Sequence, residues 1–398
     1  MPSQIPAFFR RSRPIRACSH VSGTLPGRNG IVRDGIREVD LILWTRVRAF
    51  LYDQPATRVI FGVGALDRLA EEVGRLGARR ALVLATPEQR KDADQAARRL
   101  GDVAVGIYAE AVMHVPMETA RAARDIARRL EADCCVAVGG GSTIGLGKAI
   151  ALESGVPIVA VPTTYAGSEV TPIYGLTDGG LKRTGRDRKV LPKAVLYDPA
   201  LTVTLPPHVS GPSGMNAIAH CVEALYAPDA NPIISLLAAE GIRVLARSLP
   251  VVVKEPAHLD ARADALYGAW LAGTALGATS MSIHHKLCHT LGGAFNLPHA
   301  CVHTVILPHA TAFNREAAPE AMRVAAEALG ARDAAQGIFD LAVRLGAPIA
   351  LKDIGMPADG LDRAARLATE NPYDNPRPIE YAGVRELIEH AYHGTRPA

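Results

Sequence analysis

The chain has 398 residues, 48% hydrophobic and 21% charged, enough apolar surface for two domains with buried cores and too much for a disordered, collagenous or disulfide-stapled chain. Its formal charge of +4 is confined to the start: residues 1–49 hold nine Arg against three acids, a balance of +6, which leaves residues 50–398 with 35 Lys and Arg against 37 acids, or −2. The body is therefore no basic nucleic-acid binder, and no apolar run approaches the roughly 20 residues that a membrane span needs.

Residues 1–33 carry six Arg and no acid, a composition shared by targeting segments, but nothing there repeats at helical or strand spacing. We read residues 1–49 as a disordered extension. From Arg58 the chain alternates. Apolar runs at 58–62, 81–85, 103–108, 134–138 and 156–161 read as strands, and segments with apolar spacing of three and four at 65–76, 91–100 and 118–130 read as helices. Crossovers of that length imply a parallel sheet. Residues 173–193 read as a hairpin excursion returning in a strand at 194–197, and the prolines at 199, 206 and 207 mark a boundary. The predicted division is an α/β domain over 50–205 and an all-helical domain over 206–398, with helices at 215–225, 232–249, 261–278, 282–291, 317–330 and 334–345.

Two loops carry chemistry in the first half. Gly139-Gly140-Gly141-Ser142-Thr143 lies between a strand and a helix, where backbone N–H groups can approach a phosphate and the helix dipole favours its charge. Thr163, Thr164 and Ser168 follow the next strand, at the edge where parallel sheets bind ligands. In the second half, six of the 13 histidines fall between His284 and His309. His285 and His289 share a helix face, as do Asn216 and His220, so nitrogen and oxygen donors from two helices can close around a divalent metal or a substrate. We take His220, His285, His289 and His299 as a site, and His303 and His309 as ordinary packed residues near a helix end. The six cysteines form no CxxC pair and lie mostly in apolar runs, the usage of reduced thiols in a cytoplasmic protein.

These residues, in this order, resemble the iron-containing alcohol dehydrogenase superfamily, and in detail its maleylacetate reductase branch, over about residues 50–397. The resemblance implies the dehydroquinate synthase-like fold: an N-terminal dinucleotide-binding domain, a helical C-terminal domain and a cleft between them. It implies NADH or NADPH held by Gly139, Gly140, Gly141, Ser142, Thr143, Lys148, Thr163, Thr164 and Ser168, with Thr86 at the place where an acid can bind the ribose. In the family's glycine motif an Asp stands where this chain has Gly145. The family's metal-holding Asp and three His correspond to Asn216, His220, His285 and His299; the Asp has become Asn, so no catalytic metal is expected. The segment Asn371-Pro372-Tyr373-Asp374-Asn375-Pro376-Arg377-Pro378 is also similar to that branch.

The implied reaction is reduction of the double bond of maleylacetate, a small dicarboxylate, to 3-oxoadipate in the degradation of aromatic compounds, with His285 and His289 as hydrogen-bond donors and His220 and His299 shaping the pocket. A homodimer is expected, with neither a nucleic-acid nor a membrane partner. The alternatives are a metal-dependent alcohol dehydrogenase acting on a small alcohol or aldehyde, and a non-catalytic nucleotide-binding protein.

Overall fold

The computed structural model describes Phe50, Tyr52 and residues 57–178, 181–371 and 373–398, with only the backbone of Leu181 and Lys182; the reading of residues 1–49 as an extension lies outside the described residues. The first half is built of β1 (Arg58–Phe61), α1 (Leu69–Arg75), β2 (Ala81–Leu84), α2 (Arg90–Leu100), β3 (Ala104–Tyr108), α3 (Met117–Arg129), β4 (Cys134–Gly139), α4 (Gly141–Ser154) and β5 (Ile158–Pro162). The hairpin β6 (Ile173–Asp178) and β7 (Leu181–Arg186) and the returning strand β8 (Ala194–Tyr197) complete it. Six strands form one parallel sheet in the order β1-β8-β5-β4-β2-β3, as the alternating pattern requires, and β6 and β7 pair antiparallel outside it.

β4 and β5 are buried at every position, which explains their unbroken apolar runs. The helices covering the sheet present small side chains to it: Ala93 and Ala96 on α2, Ala120, Ala123 and Ala127 on α3. Alanines at spacings of three and four allow close approach of helix to sheet.

After β8 every described element is helical: α5 (Pro207–Tyr226), α6 (Pro232–Lys254), α7 (Leu259–Ala278), α8 (Ile283–Phe295), α9 (His299–Asn314), α10 (Pro319–Leu329), α11 (Ala334–Arg344), α12 (Leu361–Thr369) and α13 (Tyr381–His393), joined by turns and short 3-10 segments. α5 begins eight residues before the predicted start, carries Pro212 inside it and is buried on nearly all faces. Leu291-Gly292-Gly293 forms no bend; α8 runs on to Phe295 and ends where Asn296 takes a left-handed φ of 51°. α9, α12 and α13 were not expected. No helix among the described residues is long and apolar enough to cross a membrane.

One core cluster joins the halves, with Ala137, Ile144 and Tyr197 packed together with Met215, Ile218 and Leu245. The loop at the carboxyl end of β5 meets α5, where the Tyr165 amide donates to Ser213 Oγ at 3.0 Å, and a crevice opens beside β4, the strand to which the chain returns after going from β2 outward to β3.

Candidate active site

The crevice holds a cavity of about 610 Å³ that runs from the glycine loop to the histidines. Its first wall is the start of α4. Gly140 is the N-cap residue and no side chain caps the helix, so the amides at Gly141 and Ser142, both lining the cavity, face it without a protein acceptor. The backbone is packed to its limit behind them: a Cβ on Gly140 would lie 2.9 Å from Thr164 Cγ2, and one on Gly139 would lie 2.6 Å from Gln89 Oε1. Gly141, Ser142, Thr164 and Ser168 form the floor of this end of the cavity, while Gly139, Gly140, Thr143 and Thr163, expected at the cofactor, do not reach its lining and pack behind it. A dinucleotide's diphosphate fits this uncapped, glycine-faced helix end.

Gln89, which the sequence reading missed, bonds through Nε2 to Thr163 Oγ1 and so ties the end of β2 to the end of β5. Thr86 does not line the cavity; it precedes a 3-10 turn beside Glu88, whose carboxyl is held below its usual range by its own backbone amide and then by the Thr86 hydroxyl. Gly145 also has a packing reason, since a Cβ there would come within 2.8 Å of Val115 Cγ2 and an aspartate would have no room.

Lys148, expected at the cofactor, borders the cavity but turns its Nζ elsewhere. It donates to Ser168 O (2.7 Å), Ser168 Oγ (3.2 Å), Thr171 O (2.9 Å), Thr171 Oγ1 (3.0 Å) and Ile173 O (2.7 Å). Its ammonium clamps the loop between β5 and β6. Burial pushes it down to about 7, against the opposing charge of Glu169. Glu169 is itself buried, which raises its pKa, and accepts from Tyr197 Oη at 2.8 Å.

The second wall is imidazole. His114, His220, His284, His285, His289, His299 and His303 form one chain of ring contacts with centroids 4.3 to 6.5 Å apart. All but His284 line the cavity, as does Asn216. The four predicted histidines therefore come together, and the structure adds His303, which the sequence reading set aside, together with His114 and His284. His309 is buried apart from them, beside His390, and is held down to about 4 chiefly by burial. Burial first, and then the neighbouring histidines, lower His220, His284 and His303 well below the usual imidazole range, so these three are neutral at pH 7.

Glu223 on α5 was not anticipated. It is fully buried and accepts from His285 Nδ1 at 2.6 Å, from the His284 amide at 2.8 Å and from the Ser282 amide at 3.1 Å. A sequence signal existed: Asn216, His220 and Glu223 stand at i, i+4 and i+7, one stripe of a helix.

Whether a dication fits the positions Asn216, His220, His285 and His299 can be judged from their donors. Asn216 Oδ1, His220 Nδ1 and His285 Nε2 are buried without a protein partner, as ligand atoms would be. Against this, Asn216 is neutral and Glu223 is engaged by three N–H groups. Among the described residues the three-donor group that closes to within 4.8 Å is instead His284, Cys288 and His303. The set does not fit a metal as it stands.

Among the described residues that line this cavity, only histidine and Lys148 can carry a formal charge. Such a site offers amide, hydroxyl and imidazole donors to an anion and no general base of carboxylate type.

Comparison with known proteins agrees with this architecture. The family model for iron-containing alcohol dehydrogenase matches residues 56–199, and that for the C-terminal part of the Fe-containing alcohol dehydrogenase family matches residues 211–392. A maleylacetate reductase from Burkholderia cepacia is 59% identical over 352 residues, 88% of this chain and all of the relative. The solved structure of a putative alcohol dehydrogenase from Ralstonia eutropha is 60% identical with a TM-score of 0.87, and that of maleylacetate reductase from Agrobacterium tumefaciens is 52% identical with a TM-score of 0.85; each match covers 88% of this chain and 100% of the other. The chain belongs to the iron-containing alcohol dehydrogenase family, on the branch of the maleylacetate reductases.

Proposed function

We propose that this protein reduces the carbon–carbon double bond of maleylacetate to give 3-oxoadipate, using NADH or NADPH and no catalytic metal. The observation that carries the reading is one cavity joining an uncapped, glycine-faced helix end to a wall of imidazoles, with no acidic side chain among the described residues that line it. When bound, the reduced nicotinamide supplies hydride. The substrate's double bond is conjugated to a ketone, so the carbon β to the ketone accepts the hydride and the π electron pair moves onto the ketone oxygen as an enolate. In this reading His285 and His289 act as imidazolium rings: His285 keeps its Nδ1–H on Glu223, its Nε2–H and His289 donate hydrogen bonds to that oxygen, and one of the two rings gives its proton to the α-carbon, which completes the reduction. His220 and His299 shape the wall, and the two substrate carboxylates meet imidazoles and hydroxyls such as those of Ser213 and Thr184.

Either cofactor suits the floor, and the exposed Glu88 carboxylate at the end of β2 favours the one without a 2′-phosphate. Among the described residues β1 pairs on one side only, with β8, which supports the expectation of a homodimer. The buried free cysteines Cys134, Cys135 and Cys221 support a reducing, cytoplasmic setting.

The test is NADH oxidation by EDTA-dialysed enzyme with maleylacetate beside simple aldehydes, and NAD+ reduction with simple alcohols. Maleylacetate should be turned over at the undialysed rate. Loss of that rate with recovery on adding zinc or iron, or turnover of simple aldehydes alone, overturns the reading in favour of a metal-dependent alcohol dehydrogenase.

A further inference from the structure

None of the described residues of the C-terminal segment singled out in the sequence lines this cavity. Its contacts lead elsewhere. Asn375 and Asn314 exchange amide hydrogen bonds in both directions, at 2.9 and 2.7 Å, and Asn375 Nδ2 also donates to Arg377 O at 2.7 Å. Asn314, fully buried at the end of α9, faces Tyr226, whose hydroxyl lies 3.4 Å from Glu223 Oε1. The line of polar groups ends on His285.

Glu223 meets His285 on a nitrogen that can only be a donor there. A carboxylate that already accepts the Ser282 and His284 amides offers His285 further lone pairs and no proton, so Nδ1 carries the hydrogen. Nε2 is then the ring atom left without a protein partner, on a ring that lines the cavity. The same carboxylate holds the first turn of α8, so the helix that carries His285 and the rotation of its ring are set by one group. We propose that Glu223 is a positioning residue that fixes the Nδ1–H form and the orientation of His285, and that Asn375, through Asn314 and Tyr226, holds Glu223 in place. The proposal rests on the reading that His285 faces the substrate.

In protein labelled with 15N-histidine, with His285 assigned by its loss in His285→Asn, the neutral ring should show a protonated Nδ1. The opposite form in wild-type protein overturns the proposal without any variant. Glu223→Gln keeps the shape and one acceptor while placing an amide N–H₂ in the group. It should populate the Nε2–H form and lower kcat by about 10²-fold, the usual cost of losing a histidine's orienting partner, while the melting temperature and NADH affinity stay near wild type. Asn375→Ala should lower kcat in the same direction by less.

A Glu223→Gln enzyme with kcat within about twofold of wild type, or one that loses NADH affinity and melting temperature together with its rate, reduces Glu223 to a helix cap and overturns the proposal. If wild-type protein shows the Nδ1–H form yet does not reduce maleylacetate, the functional reading fails and the positioning role stands.

Discussion

His289 lies one turn after His285 on α8, with ring centroids 6.2 Å apart, and stacks on His299 across the cavity. If it donates to the developing enolate, its removal deletes an interaction stronger in the transition state than in the ground state. His289→Ala should then lower kcat by about 10²–10³ and change KM less. Steady-state kinetics with varied maleylacetate decide this: a normal kcat with a raised KM makes His289 a substrate-binding residue and leaves the donor's role to His285 alone. The histidines were legible at this scale because their density in residues 284–309 exceeds what packing requires. Glu223 was not, because its partner lies 62 positions away on another helix and a lone Glu in an apolar run does not announce which ring it will meet. His303 was misjudged for a related reason: with α9 unrecognised, nothing showed that His299 and His303 are one turn apart on a common face.

The elements that deliver these residues meet by close backbone approach. Gly167, in the left-handed region at φ +77°, sits against Gly273 of α7, and a Cβ on Gly273 would come within 2.8 Å of Gly167 Cα and 2.7 Å of Val170 Cγ2. Neither backbone can yield without moving the loop that carries Thr164 and Ser168 into the cavity wall. Gly273→Ala should therefore cost about 1–3 kcal/mol of stability and raise KM for NADH. Gly293→Ala, at an exposed helical position where a Cβ meets nothing within 4 Å, should instead leave KM alone and stabilise by roughly 0.5–1 kcal/mol. Thermal melts and NADH titrations of the two variants check both; equal effects would show that the glycine contact plays no part in holding the loop. The elements missed in the sequence share one cause. α9 is buried on almost every side and contains Pro308, so it shows neither an amphipathic stripe nor freedom from breakers, and the start of α5 hides in the same way around Pro212.

At the scale of the whole molecule, strand existence and parallel pairing followed from the alternating pattern. The order β1-β8-β5-β4-β2-β3 did not, because burial on both faces erases the period that would distinguish one strand's neighbours from another's. The order matters because it sets the crevice, where burial lowers His220 and His303 well below the usual imidazole range. His309 shows the consequence away from the site. Burial, and then the charge of His390 on α13, hold it to about 4, against an ordinary value of 6.5. Between those two values the unfolded chain binds a proton that the folded protein does not. Stability is therefore fully present above pH 6.5 and falls as pH drops toward 4, by as much as about 1.4 kcal/mol per pH unit from this residue. Unfolding free energies of wild type and His309→Asn, measured by denaturant at steps from pH 7 to 4.5, should diverge in slope by nearly one proton. The variant should lose stability more slowly on acidification whatever its stability at pH 7. Parallel curves would mean that His309 already takes up its proton in the folded protein, and that this part of the interior is wetter than its packing implies.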